Sequence, residues 1–481
     1  MLLTFVILYL VLSIAIGLAA STRVHNTRDY VVAGRTLPLY VVMTMVFATW
    51  FGSETVLGTS STFLKEGLRG IVADPFGASL CLIFVGLFFA ARLYRMDLLT
   101  IGDYYRLRYD AAAELLTSVC IAVSYLGWLS AQIVVIGLVL NVVTEGAVSA
   151  GAGTVIGAAV VLAYTLRGGM YSVAWTDMVQ MAVIVAGLLY IFVLVAGLAG
   201  GAGTVVAHAH AAGKLEFWPE PEARDVLAFA GAAVTLMLGS IPQQDVFQRV
   251  TAARNERVAV AGAVLGGSAY FLFAFIPIFI AYAATLIDPA MVARLIEKDH
   301  QQILPTLILT HTPLLAQVLF FGALLSAVMS TASATLLAPS VIVTENIVKR
   351  FLRGEVSDRR LLMTMRIVVA AFAVGVAVFA LNSDSTIYEM VVNAYKVTLV
   401  AAFVPLAAGI YWPRATAQGA LASIVGGLVT WIGLEIAAPD GLLPPQLAGL
   451  LASVAGMLLG SLAPQWYGTK PGGVVGARGV T

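Results

Sequence analysis

The amino-acid sequence predicts an all-α integral membrane protein of about 13 transmembrane helices, whose core is two inverted repeats of five helices. Three observations lead to this prediction. Apolar residues make up 60% of the 481 residues and charged residues only 11%, and the mean hydropathy is +0.94, whereas a soluble domain is roughly 45–50% apolar. Apolar windows long enough to cross a bilayer recur along the chain. Polar and small residues interrupt two of these windows.

The apolar windows are each about 18 residues or longer, which suffices for a hydrocarbon core roughly 30 Å thick. They cover residues 2–20, 37–60, 71–91, 112–143, 150–166, 173–199, 226–247, 259–286, 313–345, 363–381, 387–411, 416–436 and 444–464. The first window lacks the basic leading segment and the small-residue cleavage site of a signal peptide. It is therefore expected to be a retained helix.

The distribution of Lys and Arg predicts the orientation, because basic residues favour cytoplasmic loops. An odd number of spans places the two termini on opposite sides. With the N-terminus outside, most of the 27 basic residues fall in inner loops such as 347–360, and Arg366 and Lys396 lie within spans. The N-terminus is expected outside the membrane and the C-terminus inside.

The second and seventh windows are interrupted. In ATWFGSE the interruption covers residues 49–54 around Gly52, and in GSIPQQD it covers residues 239–245 and includes Pro242. Such breaks free backbone groups that need partners in hydrocarbon, so they survive where they line a cavity enclosed by protein. Two interrupted helices five positions apart are typical of inverted-repeat membrane proteins. The alternative is two unrelated kinks in a helical bundle.

The spacing of the two breaks gives the predicted domain organisation. No sequence identity between the two halves is visible, so the repeat rests on this spacing alone. The predicted parts are a leading helix and inner loop (1–36), a first five-helix repeat (37–200), a second repeat (201–415), two trailing helices (416–465) and a cytoplasmic tail (466–481).

Ionisable side chains within the windows mark candidate functional positions, because each costs roughly 2.5–3.5 kcal/mol at the bilayer centre unless it has a partner. They are Glu54, Asp74, Asp177, Asp245, Glu389 and Lys396. Asp74 directly precedes Pro75 at the start of a window, so it is expected to cap that helix. Glu389 lies in the first turn of its window and is expected at the membrane interface.

The window 313–345 carries hydroxyl side chains on a broad face of one helix. They are Ser326, Ser330, Thr331, Ser333 and Thr335. Such hydroxyls often bond back to the carbonyl one turn earlier. Alternatively, they supply the hard oxygen ligands that a small alkali cation prefers, together with carbonyls freed by a broken helix.

Several classes of function find no support in the sequence. The net charge of +1 gives no indication of a nucleic-acid partner. Cys81 and Cys120 lie in apolar windows and are expected to be core residues. The chain has no phosphate-binding loop and no HExxH or GxSxG motif, so no enzyme activity is expected. The lipid bilayer is an expected partner, and no obligate protein partner is evident.

Three segments resemble the sodium:solute symporter family, which includes carriers of proline, sugars, sialic acid, pantothenate and choline. They are RGGMYSVAWTDMVQ, SAVMSTASATLLAPSVIVTENI and NAYKVTLVAAFVPLAAGIYWPRATAQGALA. The resemblance extends over nearly the whole chain. It implies a LeuT-type fold in the cell (plasma or inner) membrane, and symport with sodium as the coupling ion.

The resemblance also implies a sodium site. Matched residue by residue, its ligands are the carbonyls of Ala48, Phe51 and Ala327 and the hydroxyls of Ser330 and Thr331. In relatives that bind two sodium ions, a second site uses residues matching Asp177 and Ser333, but here Ala334 lacks the second hydroxyl. Asp177 is therefore expected either in a weakened second site or on the intracellular exit path, bonded to Ser333 or to a transient sodium ion.

The two break segments most resemble the choline-carrier branch of the family, which holds a quaternary ammonium in an aromatic cage. Trp50 and Trp128 match two walls of such a cage, but Gln243 stands where the third has Trp. The predicted solute site comprises Trp50, Glu54, Thr55, Trp128, Gln243, Gln244, Asp245 and Lys396.

Lys396 points to a different solute, because a fixed cation near the site repels a quaternary amine. It would bind a carboxylate, pair with Glu54 or Asp245, or occupy a cation site. The predicted function is sodium-coupled import, by alternating access, of a small solute with a carboxylate, such as an amino acid, a betaine or a monocarboxylate. The alternatives are a choline or quaternary-amine symporter, a proton-coupled carrier that titrates Glu54 or Asp177, and an ion-independent carrier or sensor.

Overall fold

The computed structural model describes residues 2–352 and 357–467, and in this part of the chain the secondary structure is helical, with no β-strand. Most of the predicted tail lies outside the described residues. The helices long and apolar enough to cross a membrane are Leu2–Arg23, Glu54–Arg95, Ala111–Val143, Gly168–Leu198, Glu256–Ile287, Leu314–Phe351, Asp358–Leu381, Ile387–Tyr411, Ala417–Ala437 and Pro445–Leu462.

Two further groups of apolar helices complete the list. Ala223–Gly239 and Gln244–Ala252 pass the same test together and are bent by 44°, and two shorter apolar helices are Leu39–Trp50 and Ala150–Ala163. Every predicted window contains helix, so the all-α membrane class is confirmed. Within the described ranges the test gives ten spans, or eleven with the bent pair. The total of 13 spans and the orientation stay predictions.

The first broken helix consists of Leu39–Trp50 and, after three residues, the helical residues 54–66. Phe51 leaves the helical conformation with φ −90° and ψ 71°, and Gly52 follows. A Cβ atom on Gly52 would lie 2.5 Å from Glu54 Oε2 and 2.7 Å from Thr331 Oγ1, so no larger residue fits without displacing them. The predicted break is confirmed, and glycine leaves room there for the side chains of Glu54 and Thr331.

The second broken helix consists of Ala223–Gly239 and Gln244–Ala252. The break contains Pro242, which has no amide to continue the helical ladder. The carbonyl freed at Gly239 accepts a hydrogen bond from Thr398 Oγ1 at 2.7 Å. A Cβ atom on Gly239 would lie 2.6 Å from the carbonyl oxygen of Tyr395. The helix Ile387–Thr398 therefore packs closely against the break. The predicted interruption of the second helix is confirmed too.

The helix Leu314–Ile342, here called the hydroxyl helix, is the most deeply enclosed element. All its residues from 323 to 342 are buried, and it packs against Leu39–Trp50 and the helical segment 150–198, which is kinked at Gly169. Ser333, Thr335 and Ser340 bond back to carbonyls three or four residues earlier, as hydroxyls in helices often do. Ser330 and Thr331 instead reach other helices.

The broken helices meet near one end. A parallel β-bridge joins Leu37 and Ala253, in which Leu37 N donates to Ala252 O at 3.1 Å and Arg254 N donates to Leu37 O at 2.9 Å. The entry to the first broken helix is thus tied to the exit from the second. This contact fits the predicted pairing of two repeats, whose boundaries stay a prediction.

The trailing helices Ala417–Ala437 and Pro445–Leu462 pack mainly against each other. Small residues line their contact, where Ser423 and Ser453 share a hydrogen bond of 2.7 Å. Close packing through small residues is the usual way in which membrane helices associate. The pair therefore forms a peripheral unit beside the core.

Candidate functional site

Three aromatic side chains meet at the first break and are called the aromatic cluster. Trp50 is the last residue before the break, Trp128 comes from the middle of Ala111–Val143, and Tyr395 comes from Ile387–Thr398. The ring centroids are 5.4 Å apart for Trp50 and Trp128, 5.9 Å for Trp50 and Tyr395, and 5.4 Å for Trp128 and Tyr395. Tyr395 is a third aromatic side chain at this place. The sequence had not indicated one, because Gln243 stands where the choline-carrier branch has Trp.

Glu54 lies directly beside the aromatic cluster and is buried. Trp128 Nε1 donates to Glu54 Oε1 at 3.0 Å, and Gln132 Nε2 donates to Glu54 Oε2 at 2.7 Å. Gln132 in turn accepts from the amide of Ser53 at 2.9 Å. Hydrogen bonds of this charge-assisted kind hold a carboxylate firmly. The break, the carboxylate and one wall of the aromatic cluster are thus a single bonded unit.

Two polar atoms of the aromatic cluster are left for a further partner. Trp50 Nε1 and the hydroxyl of Tyr395 are buried and have no hydrogen-bond partner within the described part of the chain. Buried donors without partners are rare in folded proteins. Both atoms can donate to an oxygen atom of a bound molecule.

Of the predicted solute residues in the second break, two lie behind the aromatic cluster. Gln243 Nε2 donates to Ser124 Oγ at 3.0 Å and to Thr398 Oγ1 at 3.4 Å. The hydroxyl of Tyr125 donates to Asp245 Oδ1 at 2.5 Å, and the Tyr125 ring stacks on Trp128 with centroids 6.1 Å apart. These residues support the walls of the cluster.

Gln244 faces elsewhere. Its Oε1 accepts from the amide of Ile101 at 2.8 Å, at the start of the helix Ile101–Arg108. The structure therefore separates Gln244 from the aromatic cluster, and the expectation that it contacts the solute loses its support. Gln243 precedes this helix as its N-cap residue in an extended conformation, and its side chain bonds Ser124 and Thr398 instead.

Thr55 and Asp74 belong to a network of hydrogen bonds between hydroxyl groups and a carboxylate, on the other side of the first break. Asp74 accepts hydrogen bonds from Thr59 at 2.8 Å, from Thr55 at 3.4 Å, and from the hydroxyl of Tyr270. The helix that follows has Gly77 at its N-cap and no side-chain cap. The predicted capping role of Asp74 is wrong, because the long-range hydroxyls occupy its oxygens.

Glu389, by contrast, lies where the sequence predicts. It is exposed and forms a capping box with Thr386 at the start of its helix. Its amide donates to Thr386 Oγ1 at 3.2 Å, and its carboxylate accepts from the amide of Thr386 at 2.9 Å. A helix cap accounts for this acid, and its position at the membrane interface stays a prediction.

The predicted sodium ligands lie where the hydroxyl helix meets the first broken helix. Thr331 Oγ1 donates to the carbonyl oxygen of Ala48 at 3.5 Å. The carbonyl of Phe51 belongs to the break itself, and Ala327 precedes Ser330 by one turn of the hydroxyl helix. Oxygen atoms of this kind, without formal charge, suit an alkali cation.

Asp177 joins this group through Ser330, whose hydroxyl donates to Asp177 Oδ1 at 2.6 Å. Ser333, which was expected to be its partner, donates instead to the carbonyl of Ser330 at 2.9 Å. Asp177 is fully buried. It therefore lies one hydrogen bond from a predicted sodium ligand, and the hydroxyl that bonds it is that of Ser330 rather than Ser333.

Lys396 does not lie in the aromatic cluster. Its Nζ is 3.2 Å from Glu435 Oε1, and Trp431 Nε1 donates to the other oxygen of Glu435 at 3.0 Å. Neither Glu54 nor Asp245 is its partner. The physical reason is helical geometry: Tyr395 takes the inward position, so the next residue points to the trailing helices.

The lysine lines a groove of about 290 Å³ beside the trailing helices. Arg224, Glu435 and Asp440 also line it. The expectation that Lys396 binds a solute carboxylate, or repels an amine, loses its support. Glu435 was a signal available in the sequence, since it is an acid within the window 416–436.

The sequence interpretation missed Arg249, which lies just beyond the end of the seventh window. It is buried in the second broken helix. Its Nε donates to Thr49 Oγ1 and its Nη1 to the carbonyl oxygen of Asp245, both at 2.8 Å. Ending the window at residue 247 placed Arg249 in a loop and hid it.

The family model of the sodium:solute symporter family matches residues 30–427. The chain belongs to this family. The symporter is therefore a multi-pass transporter of the cell membrane rather than an enzyme, and sodium is its coupling ion. This confirms the predicted family, class and ion.

Named relatives include carriers of two kinds of solute. High affinity choline transporter 1 of Homo sapiens is 26% identical, over 88% of this chain and 75% of the relative. The osmoregulated proline transporter OpuE of Bacillus subtilis is 26% identical, over 94% and 93% of the two chains. The sodium/proline symporter of Haemophilus influenzae is 29% identical, over 89% and 87%.

Solved structures establish the fold. A Na⁺-coupled sialic acid symporter in a substrate-bound outward-open state superposes with a TM-score of 0.82 at 18% identity, covering 96% of this chain and 97% of the other. A transporter of the nucleobase-cation-symport-1 family gives a TM-score of 0.61 at 15% identity, covering 90% and 95%. The LeuT-type fold predicted for the symporter is confirmed.

Proposed function

We propose that this symporter imports a small quaternary amine with a hydroxyl group, of the choline type, together with sodium. The observation that carries the proposal is the aromatic cluster beside the buried carboxylate of Glu54. Aromatic faces attract quaternary ammonium groups, with about 2 kcal/mol or more when the site is desolvated. A carboxylate adds attraction for a cation and none for a neutral sugar.

Two further features support an amine. Lys396 is paired with Glu435, so no lysine charge opposes a cation at the aromatic cluster. The free donors at Trp50 and Tyr395 fit the oxygen of an amino alcohol. The ring centroids are in mutual contact distance, so the solute would enter by separating the rings.

A zwitterion is the second candidate, since the same two donors would also hold a carboxylate, as in a betaine or proline. The relatives that carry proline favour this possibility. Glu54 disfavours it, because a buried carboxylate repels the carboxylate of a zwitterion. The choline type is therefore preferred.

For sodium we propose a site at the carbonyls of Ala48, Phe51 and Ala327 and the hydroxyls of Ser330 and Thr331. Bound there, the ion would tie the first broken helix to the hydroxyl helix. Gly52 lies against both Thr331 and Glu54, so order at the sodium site would be transmitted directly to the Glu54 carboxylate at the proposed solute site. This contact is the proposed basis of coupling.

Transport would follow by alternating access around the broken helices. One sodium ion entering down an inside-negative potential of 100 mV contributes about 2.3 kcal/mol from the potential alone. No covalent step is involved, and the sodium gradient supplies the remaining driving force.

The test is uptake into proteoliposomes of the full-length protein under an inward sodium gradient, with choline, glycine betaine, proline, sialic acid and glucose. The proposal expects uptake of choline that requires sodium and is inhibited by other quaternary amines. Uptake of proline or sialic acid in preference to choline would refute the solute assignment. Uptake driven equally by potassium would refute the assignment of sodium.

A further inference from the structure

A buried arginine next to the sodium ligands has no place in the transport mechanism above. Arg249 has 2% of its surface exposed, and a guanidinium keeps its charge under all physiological conditions. Two of its nitrogens bond Thr49 and the Asp245 carbonyl. The third, Nη2, is buried and lacks a hydrogen-bond partner in residues 2–352 and 357–467.

Two carboxylates near Arg249 also have an unused oxygen. Asp177 Oδ1 accepts from Ser330, and Asp245 Oδ1 accepts from Tyr125. Oδ2 of each is buried and without a hydrogen-bond partner across the described chain. Arg249 lies in the same region as both: its Nη1 donates to the carbonyl oxygen of Asp245. Its partner Thr49 is next to Ala48, whose carbonyl accepts from Thr331, the neighbour of the Asp177 partner Ser330. The Arg249 guanidinium is therefore one positive charge near two buried carboxylates, with no hydrogen bond to the carboxylate group of either Asp177 or Asp245 in the described residues.

The position of Arg249 links it to the proposed sodium ligands from two directions. Its bond to Thr49 holds the residue next to Ala48, whose carbonyl is a proposed ligand. On the other side of the same proposed ligands, Asp177 accepts a hydrogen bond from Ser330. Charges interact strongly in a protein interior because little solvent screens them. A sodium ion at this site would experience the guanidinium directly.

We propose that Arg249 is a tethered counter-charge that competes with sodium for the field of Asp177. The inference rests on the proposed function, since it takes sodium to bind at Ser330 and Thr331. With sodium bound, the ion balances the carboxylate. When sodium leaves, Arg249 balances it, so that the empty carrier does not hold an uncompensated buried acid, which is costly.

This role explains the free Nη2 and the free oxygen of Asp177 together. A guanidinium that only fastened the second broken helix needs no more than its bonds to Thr49 and the Asp245 carbonyl. The consequence for transport is that the positive charge of Arg249 lowers the affinity of the site for sodium. Sodium then dissociates readily at the low concentration inside the cell, and the return of the empty carrier is favoured.

The test is sodium binding to the purified full-length protein without solute. Binding is measured as the thermal stabilisation of the protein at increasing sodium concentration. In Arg249→Gln the sodium concentration at half-saturation is expected to fall about tenfold, because a repelling charge is removed and Asp177 loses its counter-charge. Arg249→Lys keeps the charge and is expected to stay within about threefold of the wild type. Arg366→Gln, the same change at another arginine within a span, is the matched control.

A double variant checks the route of the effect. In an Asp177→Asn background, the shift caused by Arg249→Gln is expected to shrink to about twofold or less. Arg249→Met replaces Arg249→Gln if that variant does not fold. Sodium affinity that is unchanged or weaker in both neutral variants overturns the inference and leaves Arg249 as a structural clamp. A wild type that binds no sodium overturns the proposed function instead, so the two failures are distinguishable.

Discussion

At the scale of single residues, the proposed function assigns the selection of a cationic solute to Glu54. In Glu54→Gln the amide keeps the shape and loses the charge, so affinity for choline is expected to fall about tenfold or more, which corresponds to about 1.4 kcal/mol. Binding of the uncharged isostere 3,3-dimethylbutanol is expected to stay nearly constant. Competition binding in sodium measures both. An equal loss for the two ligands would mean that Glu54 only holds the break together.

The proposed function assigns the binding of sodium to Ser330 and Thr331, among other ligands. Replacing both with Ala removes two hydroxyl ligands, so the sodium concentration that half-activates solute binding is expected to rise about tenfold or more. Ser333→Ala is the matched control, because that hydroxyl bonds its own helix. If the double variant keeps full sodium-driven uptake, the proposed sodium ligands are incorrect.

Residue roles that depend on distant partners were the least predictable. Sequence position placed Lys396 at membrane depth but did not show that its partner, Glu435, comes from a trailing helix. In the same way, nothing local indicated that Tyr270 would bond Asp74. Side chains that share a sequence motif, such as Trp50 and Glu54, were placed correctly together because a short segment fixes their spacing.

At the scale of elements, the first broken helix depends on Gly52. Gly52→Ala places a methyl group 2.5 Å from Glu54 and 2.7 Å from Thr331, so transport is expected to be lost and the protein destabilised by about 1–3 kcal/mol. Gly375→Ala is the control, because a Cβ atom there meets no described atom within 4 Å. Uptake and thermal unfolding are measured for both. Normal transport by Gly52→Ala would exclude close packing as the basis of coupling.

Both breaks could be predicted from the sequence because Gly and Pro weaken the helical ladder wherever they occur. The face that each half of a broken helix turns toward the protein interior could not be predicted, because apolar residues lie on all sides of these helices. The short helix Ala150–Ala163 shows a related limit. Hydropathy finds it, but the conformation of Gly169, with φ 49° and ψ −143°, which separates it from the helix Gly168–Leu198, is not visible in hydropathy.

At the scale of the whole molecule, the trailing helices form a unit beside the transport core. Lys396→Met breaks the ion pair that joins this unit to the helix Ile387–Thr398. The pair is partly exposed, with 40% of the Glu435 side chain accessible, so stability is expected to change by less than about 1 kcal/mol. Choline affinity is expected to remain unchanged, as in the control Glu435→Gln. A large loss of affinity in Lys396→Met alone would return the lysine to the solute site.

The fold class, the family and the coupling ion were predictable from composition, breaks and motifs, because these reflect the membrane environment and a shared scaffold. The solute was not. Its assignment depends on how Trp50, Trp128 and Tyr395 come together from three helices, and on the direction of one lysine. Both follow from tertiary packing.

The most direct test of the central claim is thermal stabilisation of the purified symporter by choline, measured in sodium and in potassium, with proline and glycine betaine for comparison. Stabilisation by choline that appears in sodium and not in potassium is the predicted result. Equal stabilisation in both salts would contradict sodium coupling. Stabilisation by proline or betaine with none by choline would contradict the role given to Glu54 and the aromatic cluster.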